Sequence, residues 1–193
     1  MWFFWLFKMT AYWPLRLAWR VRTVGRENLP ASPYILVSNH GAPKDPCLIN
    51  LAIPFKRIHF LTSPHLFDCP RILQWMLRQM GCHCSVSPAA DVEHFRQQAG
   101  QLGPHEVIGY FAEGRLNAGM KSFHSGAVIL AMQTGFPIVP LYVDAACSSR
   151  EKSYVIFGKP VTCDLGSDSS PDDLAGFSEK LREQIIGLSA GRR

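Results

Sequence analysis

The feature that most limits the fold is an alternation of short β-rich runs with helical stretches along almost the whole chain. Tyr34 to Ser38 is a short buried-strand candidate that ends at Asn39-His40. Asp45 to about Ala52 reads as a helix, with Asp45 as N-cap and Pro46 at the first helical position. Arg57 to Leu61 is the next strand, Pro70 to Gln79 a helix closed by Gly81, and Cys82 to Val86 a further strand. Asp91 to Leu102 is helical, with Gly103-Pro104 as its stop, and Val107 to Phe111 is a strand. His124 to Thr134 is a helix with Gly135 at its C′ position. Ile138 to Val143 and Tyr154 to Phe157 are strands, and Pro171 to Leu188 is a C-terminal helix. This order predicts a single α/β domain with a largely parallel twisted sheet flanked by helices. Functional residues then belong at the carboxyl ends of the strands. The 193 residues suit one core. No repeat, low-complexity segment or long linker divides them.

Residues 1–22 read differently from residues 23–193, which form the α/β domain. Four of the five tryptophans (Trp2, Trp5, Trp13, Trp19) lie there with Phe3, Phe4, Phe7 and Tyr12. The first residues carry no charge and no small-residue cleavage site follows, so this is not a signal peptide. Lys8, Arg16 and Pro14 interrupt it, and a spanning helix needs roughly 20 mostly apolar residues. Two readings stand: an interfacial anchor, its aromatic face in the headgroup layer and Lys8, Arg16 and Arg20 toward anionic lipid, or an apolar helix packed on its own domain. The concentration of Trp and Phe beside cations favours the anchor. Membrane association on the cytoplasmic side is the expectation.

Composition narrows the function classes. Apolar residues make up 47% and charged residues 18%, which excludes a disordered tail or a solvated coiled coil. Six cysteines are too few for a disulfide scaffold. Cys82-His83-Cys84 lacks the spacing of a zinc site and has no second pair, so the cysteines read as buried small side chains and no metal is assigned. The net charge of +5 is concentrated beside the N-terminal tryptophans, and no nucleic-acid-binding motif accompanies it.

Chemistry is concentrated in two turns. Asn39-His40-Gly41-Ala42-Pro43-Lys44-Asp45 follows a strand and precedes a helix. Gly41 and Pro43 supply the turn that folds His40 and Asp45 together. A carboxylate bonded to one imidazole nitrogen leaves the other to take a proton from a hydroxyl. The alternative is that Asp45 only caps its helix and His40 is a loop histidine. The second turn, Phe111-Ala112-Glu113-Gly114-Arg115, puts an acid and a base at a strand end. There Arg115 suits a phosphate, with Glu113 orienting it or binding an acceptor hydroxyl. Gly135-Phe136-Pro137-Ile138-Val139-Pro140 reads as a rigid wall.

Asn39-His40-x4-Asp45, Phe111-Ala112-Glu113-Gly114-Arg115, Phe123-His124-Ser125-Gly126-Ala127 and Pro137-Ile138-Val139-Pro140, in that order, resemble the glycerolipid acyltransferase family over about residues 20–160. The resemblance implies transfer of a fatty acyl group from a thioester, acyl-CoA or acyl-carrier protein, to a lysophospholipid or related hydroxyl. No cofactor is implied. The resemblance makes His40 the general base and Asp45 its orienting partner. Glu113, Gly114 and Arg115 belong to acceptor binding, and Pro140 to the wall of the substrate site. The sequence departs from the family pattern in Ala112, where proline is common, and in lacking a second-block arginine near Ser85 to Ser87. Lys44, Lys121, Arg71 and Arg78 are therefore alternative phosphate partners, with Asn39 beside the base. A catalytically inactive lipid-binding scaffold and a thioester or lipid hydrolase remain alternatives on the same fold.

Overall fold

The computed structural model describes the chain apart from residues 1, 32, 63, 115, 117, 118, 147–150, 167 and 193, and apart from the side chains of Trp2, Phe3, Phe7, Pro88, Ala89 and Arg192. Seven strands form one sheet: β1 (Arg22–Val24), β2 (Ile35–Ser38), β3 (Arg57–Thr62), β4 (Cys82–Cys84), β5 (Glu106–Phe111), β6 (Ile138–Asp144) and β7 (Tyr154–Phe157). Their order is β1-β7-β6-β2-β5-β3-β4. Every neighbouring pair is parallel except β6–β7, which is antiparallel. The predicted largely parallel α/β domain is what forms. β2 lies at the centre, so both its faces are covered and Ile35–Ser38 are all buried. That double burial is why the strand reads as an unbroken apolar run.

Helices α1 (Trp2–Ala18), α2 (Asp45–Ala52), α3 (Arg71–Gln79), α4 (Pro88–Ala99), α5 (Gly126–Thr134) and α6 (Pro171–Leu188) complete the domain. One buried cluster joins Leu48, Ile49 and Leu51 of α2 to Leu36, Phe60 and Val139, with Tyr12, Leu15 and Trp19 packed against it. The other joins Phe95 of α4, Val128 and Leu130 of α5 and Leu181 and Ile185 of α6 to Ile35, Val37 and Ile108. The core is thus two layers, one on each face of the sheet.

Two boundaries differ from the sequence expectation for identifiable reasons. α4 starts three residues earlier than Asp91, because Ser87 caps it, accepting from the Ala90 N–H, and Pro88 takes the first position. Asp91 instead accepts from Ser85 Oγ at 2.6 Å and from the Val86 N–H at 2.9 Å, which cuts the expected strand short at Cys84. The cysteines also differ. Of the five described, Cys47 and Cys84 are exposed and Cys69, Cys82 and Cys163 half-buried, and all are free thiols. Cys147 lies outside the described residues.

The orientation of α1 reverses part of the expectation. Phe4 is fully buried and Lys8 almost so. The Lys8 ammonium donates to the carbonyls of Ile53 and Lys56, and Arg16 donates to Leu51 O at 2.9 Å. The carbonyls of Leu51 and Ile53 close the C-terminal end of α2, where the helix dipole favours cations, and that of Lys56 lies in the turn that follows. Burial lowers Lys8 to about 7. Lys8 and Arg16 are therefore drawn into the domain rather than toward lipid. Leu6, Met9, Trp13 and Leu17 are exposed. At 3.6 residues per turn they share one stripe on the outer side. Among the described residues, no helix is long and apolar enough to cross a membrane.

Candidate active site

β2 and β5 run side by side, with Ser38 beside Phe111, and both chains leave the sheet at the same end. The loops that carry His40 and Glu113 therefore start as neighbours. Asn39 extends β2 by one residue and uses its side chain as a further rung: Nδ2 donates to Val143 O at 2.9 Å, and Oδ1 accepts from the Val143 N–H at 2.8 Å. Both ends of the buried amide are thereby spent on β6, so Asn39 pins the turn to the sheet.

His40 Nδ1 lies 3.1 Å from Asp45 Oδ2, which also accepts from the Ala42 N–H at 2.8 Å. The expected N-cap role of Asp45 is not observed. Lys44 occupies the cap position without a side-chain capping bond, and Asp45 is the first helical residue. Its carboxylate turns back across the 40–45 turn instead. An ionised carboxylate only accepts, so the Nδ1 facing it carries the hydrogen and Nε2 keeps its lone pair. The Asp45 side chain is 1% exposed and the His40 side chain 20%, so the acid is shielded and the base is reachable.

A second contact set orients the imidazole. The His40 ring stacks on Phe111, with centroids 4.1 Å apart and planes 22° apart, and Phe111 stacks on Phe60 at 5.3 Å and 16°. Phe60 lies across β5 at Gly109, where a Cβ would meet its ring at 2.2 Å. Only glycine leaves room for this row. It crosses the α2 side of the sheet, since Phe60 belongs to that cluster and Phe111 packs against it.

Glu113 is buried, and its two oxygens hold two loops together. Oε1 accepts from the His40 N–H at 2.8 Å and Oε2 from the Met120 N–H at 2.9 Å. A pocket of about 240 Å³ opens between these loops and the end of β6, lined by His40, Gly41, Glu113, Met120, Tyr142 and Asp144, among others. A second hollow, reaching Glu151, Lys152 and Tyr154, shares Asp144 and Ala145 with it. Burial, then Glu151, then Asp45 raise the Asp144 carboxyl above its ordinary value.

A family model described as Acyltransferase matches residues 20–144, a span that contains the pair, the Glu113 loop and the pocket wall. The chain belongs to the acyltransferase family. It is 25% identical to the 1-acyl-sn-glycerol-3-phosphate acyltransferase of Saccharomyces cerevisiae, over 89% of this chain and 60% of that one. It is 24% identical to the enzyme of the same name from Bacillus subtilis, over 90% of each. The crystal structure of PlsC, the 1-acyl-sn-glycerophosphate (LPA) acyltransferase from Thermotoga maritima, superposes with a TM-score of 0.65, covering 97% of this chain and 78% of that one at 20% identity. That likeness establishes the fold.

The remaining residues singled out in this acyltransferase-family sequence are spread more widely. Gly114 turns in the left-handed region (φ 65°), and a Cβ there would strike the His124 ring at 2.8 Å. The His124 N–H closes the same loop on Ala112 O at 2.8 Å. Lys44 is committed to Ala146 O. Lys121 is exposed one residue beyond Met120 of the pocket wall. Pro140 lines a different cavity, of about 440 Å³, with Gly158, Gln184 and Leu188. The reason is strand alternation: Pro140 pairs with Val37, whose side chain belongs to the α5–α6 side of the sheet. Arg71 and Arg78 lie on α3, with Arg78 over the Phe67 ring. Arg115 lies outside the described residues.

One constellation has no signal in sequence spacing. His59, His83 and His94 come from β3, β4 and α4. His59 Nδ1 meets His83 Nε2 at 2.9 Å, and the His83 and His94 rings are 4.9 Å apart. Burial lowers His59, and it lowers His83 to about 4, assisted by the neighbouring histidines and Arg57.

Proposed function

We propose that this chain transfers a fatty acyl group from a thioester to the free hydroxyl of 1-acyl-sn-glycerol 3-phosphate, with His40 as general base and Asp45 as its orienting partner. The observation that carries the reading is the 3.1 Å contact between His40 Nδ1 and Asp45 Oδ2 on the wall of a pocket. Its Nε2 removes the proton as the acceptor oxygen attacks the thioester carbon. Asp45 stabilises the imidazolium that forms. Collapse of the tetrahedral intermediate breaks the C–S bond, and the imidazolium returns its proton to the thiolate. Products are the ester and the free thiol of CoA or of the acyl-carrier protein. His40 and the two substrates account for every proton and electron pair, and the reading assigns no metal or cofactor.

The acceptor is read from the yeast and Bacillus relatives, both named as acting on this lysolipid. Glu113 holds the His40 and Met120 backbone N–H groups and also lines the pocket, with one lone pair on each oxygen left to accept from the acceptor hydroxyl. Lys121, exposed one residue beyond Met120 of the pocket wall, is the cation we assign to the acceptor phosphate. The substrate is lipid, and the Leu6–Leu17 stripe of α1 suits the interfacial layer of a bilayer. We place the protein on the cytoplasmic surface of an anionic membrane.

Purified protein, acyl-CoA or acyl-carrier protein, and a panel of lysolipids test the reading, with products identified by mass spectrometry. Diacylated phosphatidic acid is the expected product, absent for His40→Ala. Free fatty acid alone would identify a hydrolase. No product with any acceptor would identify an inactive scaffold.

A further inference from the structure

Large apolar side chains left in the open are unevenly distributed. Among the described residues, α1 exposes Leu6, Met9, Trp13 and Leu17, and α3 exposes Ile72, Leu73 and Trp75. Helices α4, α5 and α6 together expose one, Ile186. Chain topology sorts the two groups onto opposite faces. The steps β2-α2-β3 and β3-α3-β4 advance the same way across the sheet, whereas β4-α4-β5 and β5-α5-β6 return. Right-handed crossovers then put α3 on the side of α2 and α1, opposite α4 and α5. Helix α3 has no buried residue, although it is a crossover helix of an α/β sheet. A crossover helix usually buries an apolar stripe; this one turns Ile72 outward at 67% exposure.

The part of the chain that carries these helices is also the more basic part, although Lys8 and Arg16 within it turn inward. Residues 1–80, which include α1, α2 and α3, contain ten basic and three acidic residues, a net of +7. Residues 81–193 contain ten basic and twelve acidic, a net of −2. On α3 itself Arg71 and Arg78 are seven apart and share one flank beside Trp75, both exposed. An apolar ridge edged by arginine and tryptophan fits the headgroup–acyl boundary of an anionic bilayer.

We infer that α3 is a second membrane contact. Ile72, Leu73 and Trp75 enter an anionic bilayer while Arg71 and Arg78 reach its phosphates, so that the protein rests on the layer formed by α1, α2 and α3. This extends the bilayer reading of α1 made above. The Phe111–Phe60 row beneath His40 lies on that same layer. Lipid would reach the base from the membrane side without crossing the sheet.

Hydrogen–deuterium exchange of the full chain, with and without vesicles of phosphatidylglycerol and phosphatidylcholine, separates the outcomes. Protection of peptides from both α1 and α3 on vesicle addition is the expected result. Protection of α1 alone overturns the α3 contact and leaves the α1 reading standing. Protection of neither overturns both. Protection of α3 that grows with protein concentration in the absence of vesicles would show a second copy covering it, and would also overturn the inference. A double variant, Ile72→Asp with Trp75→Ala, checks the energetics at exposed positions. Its vesicle partition is expected to fall roughly tenfold or more. Its turnover of detergent-dispersed substrate should be unchanged. Undiminished partition of a folded double variant overturns the proposal.

Discussion

The protein holds two groups of histidines, and they are built oppositely. His40 has a shielded carboxylate on one ring nitrogen and an accessible pocket at the ring. His59 and His83 face each other, with His94 alongside, and the nearest acid, Glu106, stands 3.5 Å from His59 and is shared with Arg57. A carboxylate partner stabilises an imidazolium, which suits the first group to the general-base role proposed above. Burial penalises charge, and it lowers His59 and His83 below their ordinary value. The difference shows that a histidine cluster is not in itself a reactive site: the partner and the access decide.

The hardest test of that contrast is His40→Ala. Turnover should fall roughly 10³-fold or more, the scale of a lost general base, while the protein still folds. Retained turnover would break the comparison outright. Asp45→Asn keeps an acceptor for the Ala42 N–H but removes the charge and the tautomer control. A loss of about 10²-fold or more in kcat is expected, with KM little changed. Glu113→Gln turns an amide N–H₂ toward one of two backbone N–H donors. It should loosen the His40 loop and lower kcat by about tenfold, together with stability, since an unpaired buried donor costs about 1–3 kcal/mol. Phe111→Ala removes a ring stack worth about 0.5–1.5 kcal/mol, so kcat should drop by about two- to tenfold with KM unchanged. A KM effect instead would mean that Phe111 contacts substrate.

The smallest effect on turnover belongs to the second group, which is read through pH. His83 titrates at about 4 in the folded protein, below its ordinary value. The unfolded chain therefore binds more protons between about 4 and 6.5. The stability contributed is fully present above about pH 6.5 and is lost as the pH falls toward about 4. Tm should decline across that window. His83→Gln should flatten the decline and leave turnover at about pH 7.5, above the window, close to that of the parent. An unchanged slope would remove His83 from the account.

Much of the fold was legible because buried parallel strands announce themselves as apolar runs. Ile35–Ser38, Ile138–Asp144 and Tyr154–Phe157 were all visible in this way. β1 was not. Its three residues, Arg22, Thr23 and Val24, carry no strand pattern and pair with β7 from far along the chain. α1 was legible as an aromatic helix, but which of its sides faces the protein was not. Carbonyls at the end of α2 decide that, by attracting Lys8 and Arg16. The residues of the site were legible as types, through the His40–Asp45 spacing and the Glu113 turn. The backbone atoms that hold Asn39, Lys44 and Glu113 were not legible, because they belong to segments distant in the chain.

The amino-acid order alone determined the alternating α/β architecture, the aromatic N-terminal helix and the turn that brings an imidazole near a carboxylate. All three depend on interactions within a few residues or on the period of apolar side chains. Folding in three dimensions decided which oxygens were already spent, which ring lies over His40, and which face of each outer helix remains exposed. Those outcomes depend on contacts between residues up to about a hundred positions apart, where side-chain direction and the supply of unpaired backbone groups are set by the whole sheet.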